Sequence, residues 1–135
     1  PLFRGAPSKA ILAFLPRARL ERLYRKHHAR GFPRFFEEMQ AIRRAGCARS
    51  FGELDAGKVG IGAPVFRRDR SVAGSLCLVL TQARYDRVDD HGALTGKLLE
   101  SAARISESLE PVENEPRSRR RMASRETTDA ASHRP

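Results

Sequence analysis

The chain is poor in the residues that announce chemistry. It holds two cysteines among 135 residues, Cys47 and Cys77, with no C-x-x-C pair and no histidine spaced as a zinc ligand. A zinc-finger class is therefore excluded. Both cysteines lie in strand-like runs and are expected to be buried, reduced thiols of a cytoplasmic protein. No apolar stretch reaches the length of a membrane span, and the start lacks the charged head and small-residue cleavage site of a signal peptide. No membrane partner is expected. There are no internal repeats. The first residue is Pro1 rather than Met, so the chain is read as a piece of a longer protein.

Acidic residues are scarce in the first third. Residues 1–49 carry twelve Lys or Arg against three Asp or Glu, whereas residues 50–110 carry eight against nine, and the whole chain is formally +10. Such a surface attracts polyanions without selecting among them. Neither aromatic interleaving nor a recognition-helix pattern accompanies the charge, so direct nucleic-acid binding by this piece is not expected. Candidates for a nucleophile or base are limited to Cys47, Cys77, His27, His28 and His91. No nucleophile elbow, orienting group or metal spacing goes with them, so no catalytic residue, metal or cofactor is assigned.

What is present is a core's worth of apolar residues, 40% of the chain, with a mean hydropathy of −0.52 that predicts a wet surface. The length fits one domain. Residues 57–66 (Gly-Lys-Val-Gly-Ile-Gly-Ala-Pro-Val-Phe) and 72–80 (Val-Ala-Gly-Ser-Leu-Cys-Leu-Val-Leu) flank the charged stretch 67–71 and read as an antiparallel hairpin. Small residues fill its first run: Gly57, Gly60, Gly62 and Ala63. Glycine weakens a strand, so this clustering implies that another backbone or a ligand approaches closely there. The expectation drawn is that the small-residue strand floors a small-molecule pocket. Gly60→Leu would then abolish ligand binding and leave the fold largely intact.

Helices are expected at 8–15, with Ser8 as N-cap and Pro16 as stop, at 17–29, and at 35–45 closed by Gly46. A short strand is expected over 47–51. A long helix opens at Asp86, with Leu94, Leu98, Ala102, Ile105 and Leu109 facing inward. After Glu110 the chain turns rich in Pro and Arg, with only Val112 and Met122 as sizeable apolar residues, so 111–135 is expected to be a disordered tail. The order describes an α+β domain: an antiparallel sheet with helices packed on it, incomplete at its N-terminus, where preceding sequence would supply more strands.

Four segments in order resemble the effector-binding domain of IclR-type bacterial transcription regulators. Pro1-Leu2, with Lys9 to Pro16 (Lys-Ala-Ile-Leu-Ala-Phe-Leu-Pro), resembles that family's P-[LM]-H-A-[ST]-x-x-G-K-A-L-L-A-F-L-P. Residues 42–48 resemble its I-R-x-x-G-[YF]-A. The two hairpin runs resemble its G-V-x-[CG]-I-A-A-P-V-F and V-V-A-A-L-S-V-S-G-P, and Arg84 resembles the arginine that follows. The likeness covers roughly residues 1–110.

This resemblance implies a GAF-like fold and assembly as homodimers or tetramers. It also implies a small organic or aromatic acid as effector, and DNA contact only through a helix-turn-helix domain absent from this chain. Carried over by position, it implies an effector site of Ala6, Pro7, Ser50, Gly60, Cys77 and Val79. The chain departs from the pattern within that site. The family's His aligns with Phe3, its Gly with Ser8, its pocket acid with Ser50, its two hydroxyl positions with Cys77 and Val79, and its Gly-Pro with Leu80-Thr81. Pro7 also removes a backbone donor. Fewer polar contacts mean either a more apolar ligand or lost sensing. The alternative function is a degenerate remnant that binds polyanions or proteins through its basic surface.

Overall fold

The computed structural model describes residues 1–109. Helices α1 (Ala6–Leu12), α2 (Arg17–His27) and α3 (Phe32–Ala45) lead into strands β1 (Ala48–Phe51), β2 (Lys58–Phe66) and β3 (Val72–Thr81). Helices α4 (Gln82–Asp86) and α5 (His91–Ser108) follow. The fold is α+β, as the sequence implies. The expected tail lies outside the described residues.

The strands form one antiparallel sheet in the order β1-β2-β3. Seven consecutive residues of β2, Val59 to Val65, are buried, so this strand is covered on both faces. Val59, Ile61, Ala63 and Val65 alternate with Gly60, Gly62 and Pro64 across the pleat. Ile61, Ala63 and Val65 pack with Leu98 and Ala102 of α5, joined by Leu76, Leu78 and Tyr85. The glycine face receives α1. Beyond it, Leu12, Leu20, Tyr24, Phe32, Phe35 and Met39 close a separate core among the first three helices. Phe3 is the edge-on hub of that core, 4.9–5.6 Å from the rings of Tyr24, His27, His28 and Phe35.

Several expected boundaries move for local reasons. The first helix begins at Ala6 with Gly5 at the N-cap, so Ser8 is not its cap. Pro7 sits in the first turn, where a missing N–H costs nothing. The second helix stops at His27, because His28 is already extended. The third starts at Phe32, with Pro33 in its first turn, and ends where Gly46 adopts φ 79° and its N–H reaches the Ile42 carbonyl.

The long helix expected from Asp86 starts at His91 instead, and a separate short helix, α4, ends at Asp86. Thr81 caps α4 by accepting from the Arg84 N–H at 3.2 Å, and Asp90 caps α5 by accepting from the Ala93 N–H at 2.9 Å. Of its expected inward residues, Leu98 and Ala102 are buried, and Leu94 and Leu109 pack partly buried against the same core. Ile105 is 38% exposed. Ser106 turns in instead and accepts from the Phe66 N–H at 3.0 Å. Cys47 is buried as expected, whereas Cys77 is only half-buried, and both are free thiols.

Candidate functional site

The start of α1 is pressed onto the middle of the sheet. β1 and β2 pair Ser50 with Gly60, and β2 and β3 pair Gly60 with Val79 and Gly62 with Cys77. Residues opposite one another share a face, so Ser50, Gly60, Val79, Gly62 and Cys77 all present toward α1. A Cβ on Gly60 would lie 2.9 Å from Ser50 Oγ, 3.3 Å from Ala6 Cβ and 3.8 Å from Cys77 Sγ. A Cβ on Gly62 would lie 2.5 Å from the Ala6 carbonyl oxygen. The close approach that the glycines signal is thus that of the α1 backbone. A leucine at 60 has no room, and the expectation that it would leave the fold intact is corrected.

The fold therefore brings Ala6, Ser50, Gly60 and Cys77 into one cluster. The other two expected site residues stand at its margin. The Pro7 carbonyl accepts from Ser75 Oγ at 3.0 Å, which ties α1 to β3. Val79 is 58% exposed. Burial pushes the Cys77 thiol above its ordinary pKa, which keeps it protonated and unreactive near neutral pH.

Two N–H groups at the helix start already have side-chain partners. Gly5 N–H donates to Glu53 Oε2 at 2.8 Å, and Ala6 N–H donates to Ser50 Oγ at 3.1 Å. Glu53 also accepts from Lys9 Nζ at 2.8 Å, and Lys9 pairs with Glu38 at 2.7 Å. Lys9 is only 8% exposed. Its burial disfavours the ammonium, yet the hydrogen-bonded carboxylates of Glu38 and Glu53 outweigh this and hold its pKa above the ordinary lysine value. Burial likewise disfavours the Glu53 carboxylate, but Lys9 and the Gly5 N–H outweigh it and hold that group below the usual range.

Sequence reasoning missed this bracket. Its one readable sign is a lysine flanked on the helix by inward Ala6, Ala10 and Ala13, a position that needs a counter-charge from elsewhere. Among the described residues no three His, Cys, Asp or Glu side chains are placed to hold a metal ion.

The family profile described as bacterial transcriptional regulator IclR C-terminal matches residues 1–107. The chain belongs to this family. This IclR C-terminal domain is 29% identical over 117 residues to the HTH-type transcriptional regulator KipR of Bacillus subtilis (strain 168). That match covers 81% of this chain and 46% of KipR, so the chain spans about half the length of that relative. Among solved structures it resembles the C-terminal domain of a Vibrio cholerae protein described as a transcriptional regulator. The TM-score is 0.67 at 31% identity, covering 76% of this chain and 62% of the other. It also shares the fold of the PobR inducer-binding domain of Acinetobacter, solved as a double mutant with 3-hydroxybenzoic acid. There the TM-score is 0.65 at 18% identity, covering 78% and 65%.

Proposed function

We propose that this IclR C-terminal domain is the effector-binding and oligomerising portion of a DNA-binding transcription regulator and responds to a small organic or aromatic acid. The observation that carries the reading is the convergence of Ala6, Ser50, Gly60 and Cys77 at the start of α1, in a chain whose family is one of transcriptional regulators. The glycine floor is occupied by α1. The ligand is therefore placed on the adjoining flank, where Pro7, Cys77 and the exposed Val79 meet solvent. With the Gly5 and Ala6 donors engaged internally, that flank favours a ligand whose ring or hydrocarbon part makes most of the contact.

The effector biases one arrangement of a homodimer or tetramer over another, and a helix-turn-helix segment outside this chain reads that bias on DNA. The working unit is residues 1–110, with 111–135 as a tail, in a cytoplasmic protein. Among the described residues no helix is long and apolar enough to cross a membrane.

PobR makes 3-hydroxybenzoate a first probe. In calorimetry, Val79→Glu is expected to weaken its binding at least tenfold, because a carboxylate then faces a carboxylate, while the melting temperature stays within about 2 °C since exposed positions matter little to stability. Unchanged affinity removes the flank from the site.

A further inference from the structure

The helical layer has a cleft that the effector reading does not use. Between the end of α1, the start of α2 and the middle of α3 lies a cavity of about 190 Å³. Its floor is apolar and fixed: Ala13, Leu20 and Met39 are buried and Phe36 is half-buried. Its rim is cationic, formed by Arg17, Arg43 and Arg44 with Gln40 beside them. Two of these guanidiniums rest on aromatic rings. Arg17 Cζ stands 4.6 Å from the centre of Phe36, and Arg43 Cζ stands 5.7 Å from that of Phe14.

Among the described residues, no carboxylate forms an ion pair with any of the three arginines. Glu21, one turn after Arg17, binds Arg25 at 2.6 Å, Glu38 binds Lys9, and Glu37 forms no ion pair among the described residues. Like charges gathered over an apolar floor repel one another unless an anion is shared between them. A guanidinium lying on a ring keeps its in-plane N–H donors free, and their fork matches the two oxygens of a carboxylate.

Volume narrows the class further. At about 190 Å³ the cleft is smaller than the roughly 300–1,000 Å³ of sites that hold drug-sized ligands. One ring or a short branched chain fits. Inorganic phosphate would use the rim and waste the floor, and a neutral hydrocarbon would do the reverse.

We propose that this cleft is a second ligand site, separate from the β3 flank, that takes a small amphipathic carboxylate. The apolar body lies over the Ala13, Leu20 and Met39 floor, beside Leu15 and the edge of Phe36, whose ring already carries Phe32 and Arg17. The carboxylate lies between Arg17 and Arg43. The proposal does not depend on the effector reading.

Benzoate, benzyl alcohol and inorganic phosphate serve as probes, titrated against the intact protein and followed by the amide and methyl signals of Leu20 and Met39. Benzoate is expected to shift these signals saturably, with benzyl alcohol and phosphate at least tenfold weaker. The Arg17→Gln/Arg43→Gln double variant, changed only at exposed side chains, should keep its melting temperature and lose at least tenfold in benzoate affinity. Val79→Glu should leave that affinity unchanged. The site is overturned if phosphate matches benzoate, if the double variant binds benzoate as the parent does, or if Val79→Glu alone removes the response.

Discussion

Gly62→Val is expected to destabilise the domain severely. The new Cβ would stand 2.5 Å from the Ala6 carbonyl oxygen and 3.2 Å from Ala10 Cβ, contacts with backbone and with a fully buried side chain rather than with a flexible tip. Relief requires α1 to lift off the sheet, which would open the Ala6–Ala10–Ala48 contact, the Ser50 and Glu53 hydrogen bonds and the Ser75–Pro7 tie together. A cost above about 4 kcal/mol is expected, against a total stability on the order of 5–15 kcal/mol for a domain of this size. Circular dichroism and urea melts check it. Gly96→Ala is the control. A Cβ there meets nothing within 4 Å, and alanine in a helix interior should add about 0.5–1 kcal/mol. A folded Gly62→Val protein with near-parent stability would show that α1 does not need this contact.

Lys9→Met carries the second largest expected effect, a loss of about 2–4 kcal/mol, because removing one partner of a buried pair strands the other charges. Glu38 remains half in water, so most of the penalty falls on Glu53, which keeps the Gly5 N–H and the more distant charge of Arg4. The pH profile should change with it. A carboxylate held below its usual pKa adds stability that is complete above the ordinary glutamate range and fades as pH falls through the lowered value. An ammonium held above its usual pKa adds stability that is complete below the ordinary lysine value and is lost only as pH rises through the raised one. The parent should thus hold a plateau between those limits. Lys9→Met should lower the plateau and flatten the acid limb, because Glu53 is then no longer held so far below its usual pKa and loses less on protonation. An acid limb identical to the parent's would mean that Lys9 does not govern Glu53.

How far the sequence disclosed this arrangement depends on how local each signal is. The hairpin was legible because alternation and a charged turn are properties of adjacent residues, and β2 and β3 fall within a residue of the expected runs. The glycines of β2 correctly indicated a close neighbour, but an absent side chain does not say whether helix or ligand fills the space. The α4–α5 break rests on one side-chain cap, Asp90, which accepts from the N–H three residues on and so starts α5 afresh at His91. Ile105 was misplaced because helical spacing allows either a four- or a three-residue step after Ala102, and the Phe66 N–H draws Ser106 inward. The Lys9–Glu53 bond joins residues 44 apart, and no local pattern specifies it. Of the expected site, Ala6, Ser50, Gly60 and Cys77 do converge, since pairing register alone places three of them on one face.

The division of the interior by β2 gives the protein a pair of built-in spectroscopic probes. It has no tryptophan and two tyrosines. Tyr24 lies in the core of the first three helices and Tyr85 against the core under α5. Near-ultraviolet signals from Tyr24→Phe and Tyr85→Phe proteins therefore read the two halves one at a time, and would reveal whether both melt in a single step.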